Sequence, residues 1–393
     1  MNNTIPQKNR MLLFFAVTSL FWFALYAYVP FFVPYAEEMQ ADVRLIGLIT
    51  GAYGFVQMFI RFPLGIISDR IGKRKVFIMA GLILAASSGL VVVFFPTPIA
   101  LLVARSLAGA AASTWVIITV LGSSYTTPDK TVKTIGALNA CNAFGRVFAL
   151  LLGGIAAQLL GVPYAFVLAG VAGIAGFALS TFVVEKKPET REPQKLSDLL
   201  AVIKNRQLLC AATLAILSQY ITFSTTFGFL PSIASGLGAS NFALGVLGMA
   251  AALPGIIIAP YVAKLLGKFG AGGILVTAFL ISAAACVSIP FAREIWQLFV
   301  IQIINNIGLI AVMTSLMGLC IKDIPTSRRA TAMGFFQASY GLGMFVGPFV
   351  MGWIAHQLNM TYAFIFTGAV AVLSASISLL FVKRKWLRST IDS

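Results

Sequence analysis

Twelve apolar runs, each close to 20 residues long, dominate this 393-residue chain. A hydrocarbon layer about 30 Å thick takes roughly 20 helical residues to cross. Inside such a layer every backbone N–H and C=O must be bonded within the protein, which restricts spanning segments to helices and closed barrels. The runs lie at about 11–33, 45–67, 76–95, 98–121, 134–156, 163–184, 207–230, 241–263, 272–291, 294–319, 330–354 and 361–382. The first follows Lys8 and Arg10, as a signal peptide would, but it is longer than 20 residues and no small-x-small site comes after it. It is read as a retained helix. Composition agrees: 10% of residues are charged and 59% are hydrophobic, against about 25% charged in a soluble domain.

The net charge of +16 would fit a nucleic-acid partner, so the position of the basic residues decides its meaning. Twelve helices put both termini on one face, and 23 of the 28 Lys and Arg fall in the loops and tails of that face. Arg44 and Arg293 lie on the other side, and Arg61, Arg105 and Arg146 lie inside runs. The positive-inside rule then predicts cytoplasmic termini for a multi-pass protein of the plasma membrane or a bacterial inner membrane. Nucleic acid is not needed to explain the charge. The only long polar stretch, Glu185 to Asp198, reads as a solvated tether. It predicts three parts: a six-helix bundle at 1–184, a cytoplasmic linker at 185–206 and a second bundle at 207–393.

A single offset of 198 residues aligns the two halves. Pro163-Tyr-Ala-Phe-Val-Leu-Ala-Gly170 falls on Thr361-Tyr-Ala-Phe-Ile-Phe-Thr-Gly368, and the same offset pairs Gly136 with Gly334, Gly145 with Gly343, Gly154 with Gly352, Gly47 with Gly245 and Gly72 with Gly270. Over 134–170 against 332–368 there are ten identities in 37 positions, where composition alone would give about three. The expected fold is an all-α membrane protein of twelve transmembrane helices in two pseudo-symmetric six-helix bundles. Parallel repeats of this kind place a substrate site near the midplane, between the halves.

The loop after the second run reads Gly65-Ile-Ile-Ser-Asp69-Arg70-Ile-Gly72-Lys73-Arg74-Lys75, and the fourth run carries Arg105-Ser-Leu-Ala-Gly109. With the repeat, these elements resemble the major facilitator superfamily, specifically its drug/proton antiporter-like bacterial members. The first matches the family signature G-x-x-x-D-R-x-G-R/K-R/K at every defining position. Gly65 and Gly72 are expected to allow a tight turn. The resemblance implies that Asp69 latches the halves on the cytoplasmic side against the positive end of the eleventh helix, near Arg329 to Thr331. Lys73 and Arg74 would then need an acidic partner, for which Asp129 is the nearest candidate. The second half has Gly267 where the first has Asp69, so this latch exists once.

Charges inside a membrane are costly and mostly functional. Arg61 sits near the end of its run, where snorkelling is easy, and is read as structural. Arg105 is implied by the resemblance to belong to the cavity or to proton coupling. Asn139, Asn142 and Arg146 share one helix face. Gln302, Asn305 and Asn306 form a similar set on the tenth helix, and Gln337 and Tyr340 occupy positions paired with Asn139 and Asn142. Such stripes either line a cavity or hydrogen-bond between helices. Trp22 and Tyr26 on the first helix, and Tyr220 and Phe223 on the seventh, are pocket candidates because the resemblance places those helices at the cavity. His356, alone near the end of the eleventh helix, reads as a hydrogen-bonding residue. Gly109, Gly153 and Gly154 suit close helix packing. The Gly-Pro pair that family exporters carry on helix five is missing there and appears as Gly347-Pro348 on helix eleven.

No P-loop, metal-ligand cluster or nucleophile motif is found, so neither enzymatic activity nor a cofactor is expected. The four cysteines have no paired spacing. With two deep arginines and no carboxylate mid-membrane, the cavity should favour a neutral or anionic solute. The expected activity is secondary transport of a small amphipathic compound by alternating access, as proton-coupled efflux, with a monomer acting in the lipid bilayer. Proton-coupled uptake of an organic anion is the alternative, and a non-transporting receptor or scaffold is the alternative of another class.

Overall fold

A computed structural model describes residues 7–127, 131–185, 204–325, 328–384 and 386. Among these the secondary structure is helical throughout. The first half contains α1 (Gln7–Tyr26), α2 (Phe32–Glu38), α3 (Val43–Ile71), α4 (Arg74–Phe94), α5 (Pro98–Ser113), α6 (Trp115–Ser123), α7 (Thr131–Leu159) and α8 (Pro163–Ser180). The second contains α9 (Arg206–Ser224), α10 (Leu230–Gly236), α11 (Asn241–Ser288), α12 (Ile295–Lys322), α13 (Arg329–Gln357) and α14 (Met360–Lys383). Eleven described helical stretches are long and apolar enough to cross a membrane. The eighth run is represented by the shorter apolar stretch Asn241–Gly255. Polar caps set the starts. Asp42 accepts from the Arg44 N–H at 2.8 Å, Thr97 caps α5 ahead of Pro98, and Asn205, Ser240 and Asn359 cap α9, α11 and α14.

Three runs expected to be continuous are broken. The first parts into α1 and α2 around residues 27–31, and the fourth parts into α5 and α6 at Thr114. The seventh holds one wider π-helical turn, Thr225–Phe229, between α9 and α10, with Gly228 out of helical geometry. A uniformly apolar run hides such breaks, because hydropathy does not register backbone conformation. Runs eight and nine meet within α11 at Gly270, whose φ of 70° is left-handed, and Gly72 after α3 has a φ of 67°. These two glycines are the pair that the 198-residue offset aligns, so the repeat extends to backbone conformation.

Helix α3 lies along α13, and α7 lies along α11, so each half contributes one helix to each of two seams. Both seams close on the face opposite the termini, here the far face. A Cβ on Gly47 would come within 2.5 Å of the Pro348 carbonyl and 3.2 Å of the Gly352 Cα. A Cβ on Gly245 would come within 2.6 Å of the Leu150 carbonyl and 2.8 Å of the Gly154 Cα. The two glycine pairs that the repeat aligns are therefore the residues that touch across the seams. Near mid-depth and beyond, one apolar core joins the halves, including Phe223, Phe229, Leu244, Met344 and Met351 with the first-half residues. Toward the terminal face the second half has its own core around Leu208, Leu275, Leu316 and Phe336. Cβ atoms on Gly65 and Gly334 would meet nothing within 4 Å. The halves join at the far face and part toward the terminal face.

Gly245→Val puts branched bulk against the α7 backbone, a strain of about 1–3 kcal/mol in a tight core. The expected outcome is a shift of roughly tenfold or more toward the form open at the far face. The measurement is labelling of Thr226→Cys by an impermeant thiol reagent applied to that face, in a background with the four native cysteines replaced by Ser. An unchanged labelling rate would contradict the role given to this contact.

Candidate functional site

The seam is charged at mid-depth. Arg146 stands near the middle of α7, with its guanidinium carbon 4.4 Å from the Tyr26 ring centroid and 5.9 Å from that of Phe227. Tyr26 belongs to the first half and Phe227 to the second, and their rings are 5.9 Å apart. Aromatic contacts continue on both sides. Trp22 lies 5.9 Å from Tyr26 and 5.3 Å from Trp115. Phe223 lies 5.2 Å from Phe227 and stacks on Tyr53 at 5.8 Å. Nε of Arg146, Nε1 of Trp22, Oδ1 of Asn142 and Oε1 of Gln337 are buried without a hydrogen-bond partner. No acidic side chain pairs with Arg146 among the described residues.

Arg105 differs from Arg146 in its setting. It is 3% exposed, held between the rings of Phe32 and Tyr53 at 4.7 Å each, and Gly109 one turn on lets α5 press against the Tyr53 carbonyl. Arg61 corrects the expectation of snorkelling. It is 6% exposed, and its Nη1 donates to the Tyr340 hydroxyl at 3.2 Å, bridging the halves. Helix α3 continues to Ile71, although its membrane-length apolar stretch ends at Arg61.

On the second half, Thr226 in the π turn donates to Gln302 Oε1 at 3.4 Å. Asn306 donates to Thr226 Oγ1 at 3.4 Å and to the Gln302 carbonyl at 2.9 Å. Asn305 is fully buried, with both amide atoms unpartnered. A small gap between the halves is lined by Leu150, Thr226, Phe227, Leu247 and Gln302, among others. Tyr220 is buried and packs through its backbone against Gly347, Gly153 faces the Ala27 carbonyl, and Pro348 meets Gly47. Asn139 is exposed.

In the motif loop the geometry departs from expectation. Gly72 carries the turn, while Gly65 lies inside α3, makes no close approach and has no part in it. Only Gly72 and Lys73 separate α3 from α4, and Arg70 is in the last turn of α3. Asp129 and the Asp69 side chain lie outside the described residues. The acidic partner present is Glu185, whose carboxylate accepts from the Arg74 and Lys75 backbone N–H groups, the latter at 3.2 Å. That is an anion at the positive end of α4. Its place in a polar linker gave no hint of this contact.

Four polar contacts cross between the halves at the far face. His356 Nδ1 lies 3.3 Å from Asp42 Oδ2, which joins the ends of α13 and α3. Asp42 also pairs with Arg44 at 3.1 Å. Ser232 on α10 donates to Glu37 on α2. Asn241 donates to the Ala157 carbonyl at 3.2 Å, and the Phe242 N–H donates to Gln158 at 3.3 Å. Backbone and side-chain bonds from Arg44 hold the Asp42 carboxyl below the usual range, with His356 a lesser contributor. Burial pushes the Glu37 carboxyl up, partly opposed by Ser232.

Two related bundles around a charged seam, closed on one face, are the architecture of a membrane transporter. The Major Facilitator Superfamily model matches residues 14–225 and 212–389, and the chain belongs to that superfamily. A transporter of this type from Methanocaldococcus jannaschii, itself uncharacterised, is 26% identical over 90% of this chain and 93% of its own length. The inner membrane transport protein YajR of Escherichia coli is 25% identical over 86% of this chain and 75% of its own. Multidrug resistance protein MdtG of Proteus mirabilis is 24% identical over 87% and 88%. A bacterial homologue of the human lysosomal transporter Spinster, in an inward-facing and occupied conformation, superposes with a TM-score of 0.83 at 14% identity, covering 99% of this chain and 100% of that one. That likeness concerns the fold.

Glu37 makes the far-face closure pH-dependent. A carboxyl whose pKa is raised in the closed form binds a proton more tightly there than in an open, solvated form. Closure should therefore strengthen as the pH at the far face falls from neutral toward the ordinary Glu range near 4.3, and weaken as pH rises. Asp42, held low, stays charged across that window. Labelling of Thr226→Cys from the far face should slow on acidification, and Glu37→Gln should flatten the response. A Glu37→Gln protein with the full pH response would refute this assignment.

Proposed function

We propose that this transporter moves a small amphipathic solute, neutral or anionic, by alternating access, and that it works as a proton-coupled exporter. The observation that carries the reading is Arg146: a cation at mid-depth with no acidic partner among the described residues, touching aromatic rings of both halves, in a seam closed at the far face and bridged again by Arg61 with Tyr340. A binding group shared by two bodies is released or engaged as they rock. Export is favoured by likeness to proteins named for multidrug resistance. The basic loops support a cytoplasmic terminal face, and on that reading the described conformation is inward-facing. Closing that side is the proposed task of Asp69 and its motif, against α13.

Proteoliposomes with the terminal face outward test the reading. An acid interior should drive accumulation of labelled amphipathic solutes, collapse of the gradient should reduce it several-fold, and both Arg146→Gln and Asp69→Asn should slow it. Accumulation driven by an acid exterior would replace export with symport. No flux of any solute under either gradient would leave a receptor or scaffold.

A further inference from the structure

The geometry points to a narrower substrate class, and the argument rests on the transport reading above. We propose that Arg146 is the recognition site for the carboxylate of a planar aromatic monocarboxylate, whose ring lies among Trp22, Tyr26 and Phe227. A guanidinium that stacks its face on a ring keeps its in-plane N–H edge free, and that edge matches a carboxylate bidentately. In this structure the Arg146 guanidinium carbon lies over the Tyr26 ring, 4.4 Å from its centroid, while the Arg146 Nε is buried and unpartnered. The nearby Trp22 Nε1 is a second buried donor without an acceptor. Neither donor has an acceptor in place, and the unpartnered Asn142 Oδ1 one turn away bonds to neither; a carboxylate supplies the acceptor both need.

The charge count sets the valence. Arg105 is enclosed by Phe32 and Tyr53 and is 3% exposed, and Arg61 is committed to Tyr340. Arg61 and Arg105 also keep an unpartnered Nε, but both are enclosed, whereas Arg146 is half-buried; of the three it is the one a ligand in the seam reaches, so one negative charge is matched. A cationic solute would meet Arg146 with no carboxylate nearby to offset the repulsion. The aromatic part follows from the walls. Trp115, Trp22, Tyr26, Phe227 and Phe223 run in sequence with neighbouring centroids 5.2–5.9 Å apart, and a flat ring adds to such a series by edge or offset contacts. The Thr226, Gln302 and Asn306 cluster across the gap bonds internally, and it offers dipoles to a neutral substituent rather than a second charge.

The test is equilibrium binding to the purified full-length protein in nanodiscs, with three probes that share one ring: 2-naphthoate, 2-naphthamide and 2-naphthylmethylammonium. Naphthoate should bind at least tenfold more tightly than the amide, and the ammonium should bind most weakly. Arg146→Gln should weaken naphthoate by about 30-fold or more, the scale of removing one partner from a desolvated charged pair, and should leave the amide nearly unchanged. Arg146→Lys keeps the charge without the planar fork and should fall between, so the proposal stays testable if the Gln variant does not fold. Phe227→Leu should narrow the preference for naphthoate over cyclohexanecarboxylate. Equal binding of acid and amide, preference for the ammonium, no binding of any probe, or an Arg146→Gln protein with unaltered naphthoate affinity would each overturn the assignment. Flux of neutral or cationic solutes by the same purified protein in proteoliposomes would show that transport stands and only the anion site has failed.

Discussion

The contact on which the other features depend is backbone against backbone at the far face, Gly47 with Gly352 and Gly154 with Gly245. In lipid, helices gain little from hydrophobic burial against one another, and close packing of small residues supplies much of the attraction instead. Dispersion of this kind falls steeply with separation. The contact is consequently made or lost over a small displacement, which is what a two-state closure requires. The polar bonds around it, Asp42 with His356 and Glu37 with Ser232, are too few and too close to water to lock it. A stronger closure would hold the halves in one state.

The breaks in the first and seventh runs give the closure its moving parts. Residues 27–31 and 225–229 are related by the same 198-residue offset, yet the first carries Pro30 and the second Gly228. One lacks a backbone donor and the other lacks a side chain, and either lets a helix leave its register. The repeat has kept the break and not the residue. The segments beyond, α2 and α10, lie against each other at the far face and are tied by Glu37 and Ser232. Each is a short helix set off from the long span beneath it by a buried break in the helix.

This explains what the sequence made legible. The glycine pairs were readable because a contact between backbones admits few other residues, so the repeat kept the letter. The breaks were not, because different residues produce them inside equally apolar runs. Twelve runs and the basic terminal face follow from hydropathy and loop charge, which are local quantities. Arg61 with Tyr340, Glu185 with the start of α4, and Asp42 with His356 join residues more than 100 positions apart, and no periodicity encodes a partner at that distance. The stripe of Asn139, Asn142 and Arg146 was readable as one face, but how far that face extends into the seam depends on where the halves part. Asn139, nearest the terminal face of the three, is the exposed member.

The two deep arginines show how burial divides one chemistry into two tasks. Both are stacked on rings and both lack an acid, yet Arg105 has an aromatic ring on each side within one half, whereas the rings beside Arg146 come from both halves. Phe32 belongs to α2, Tyr53 to α3 and Arg105 to α5, so the Arg105 charge fastens the hinged end of the first span to its bundle. Movement of α2 away from α5 takes the Phe32 ring off that charge, at the cost of a cation–π contact of about 2 kcal/mol where desolvated. Arg146 has the opposite relation to motion: separating the halves at mid-depth removes Phe227 and leaves Tyr26 in place. In the proposed rocking, its environment is the one that would change with conformation, which is the property a binding group needs and a fastening group must avoid.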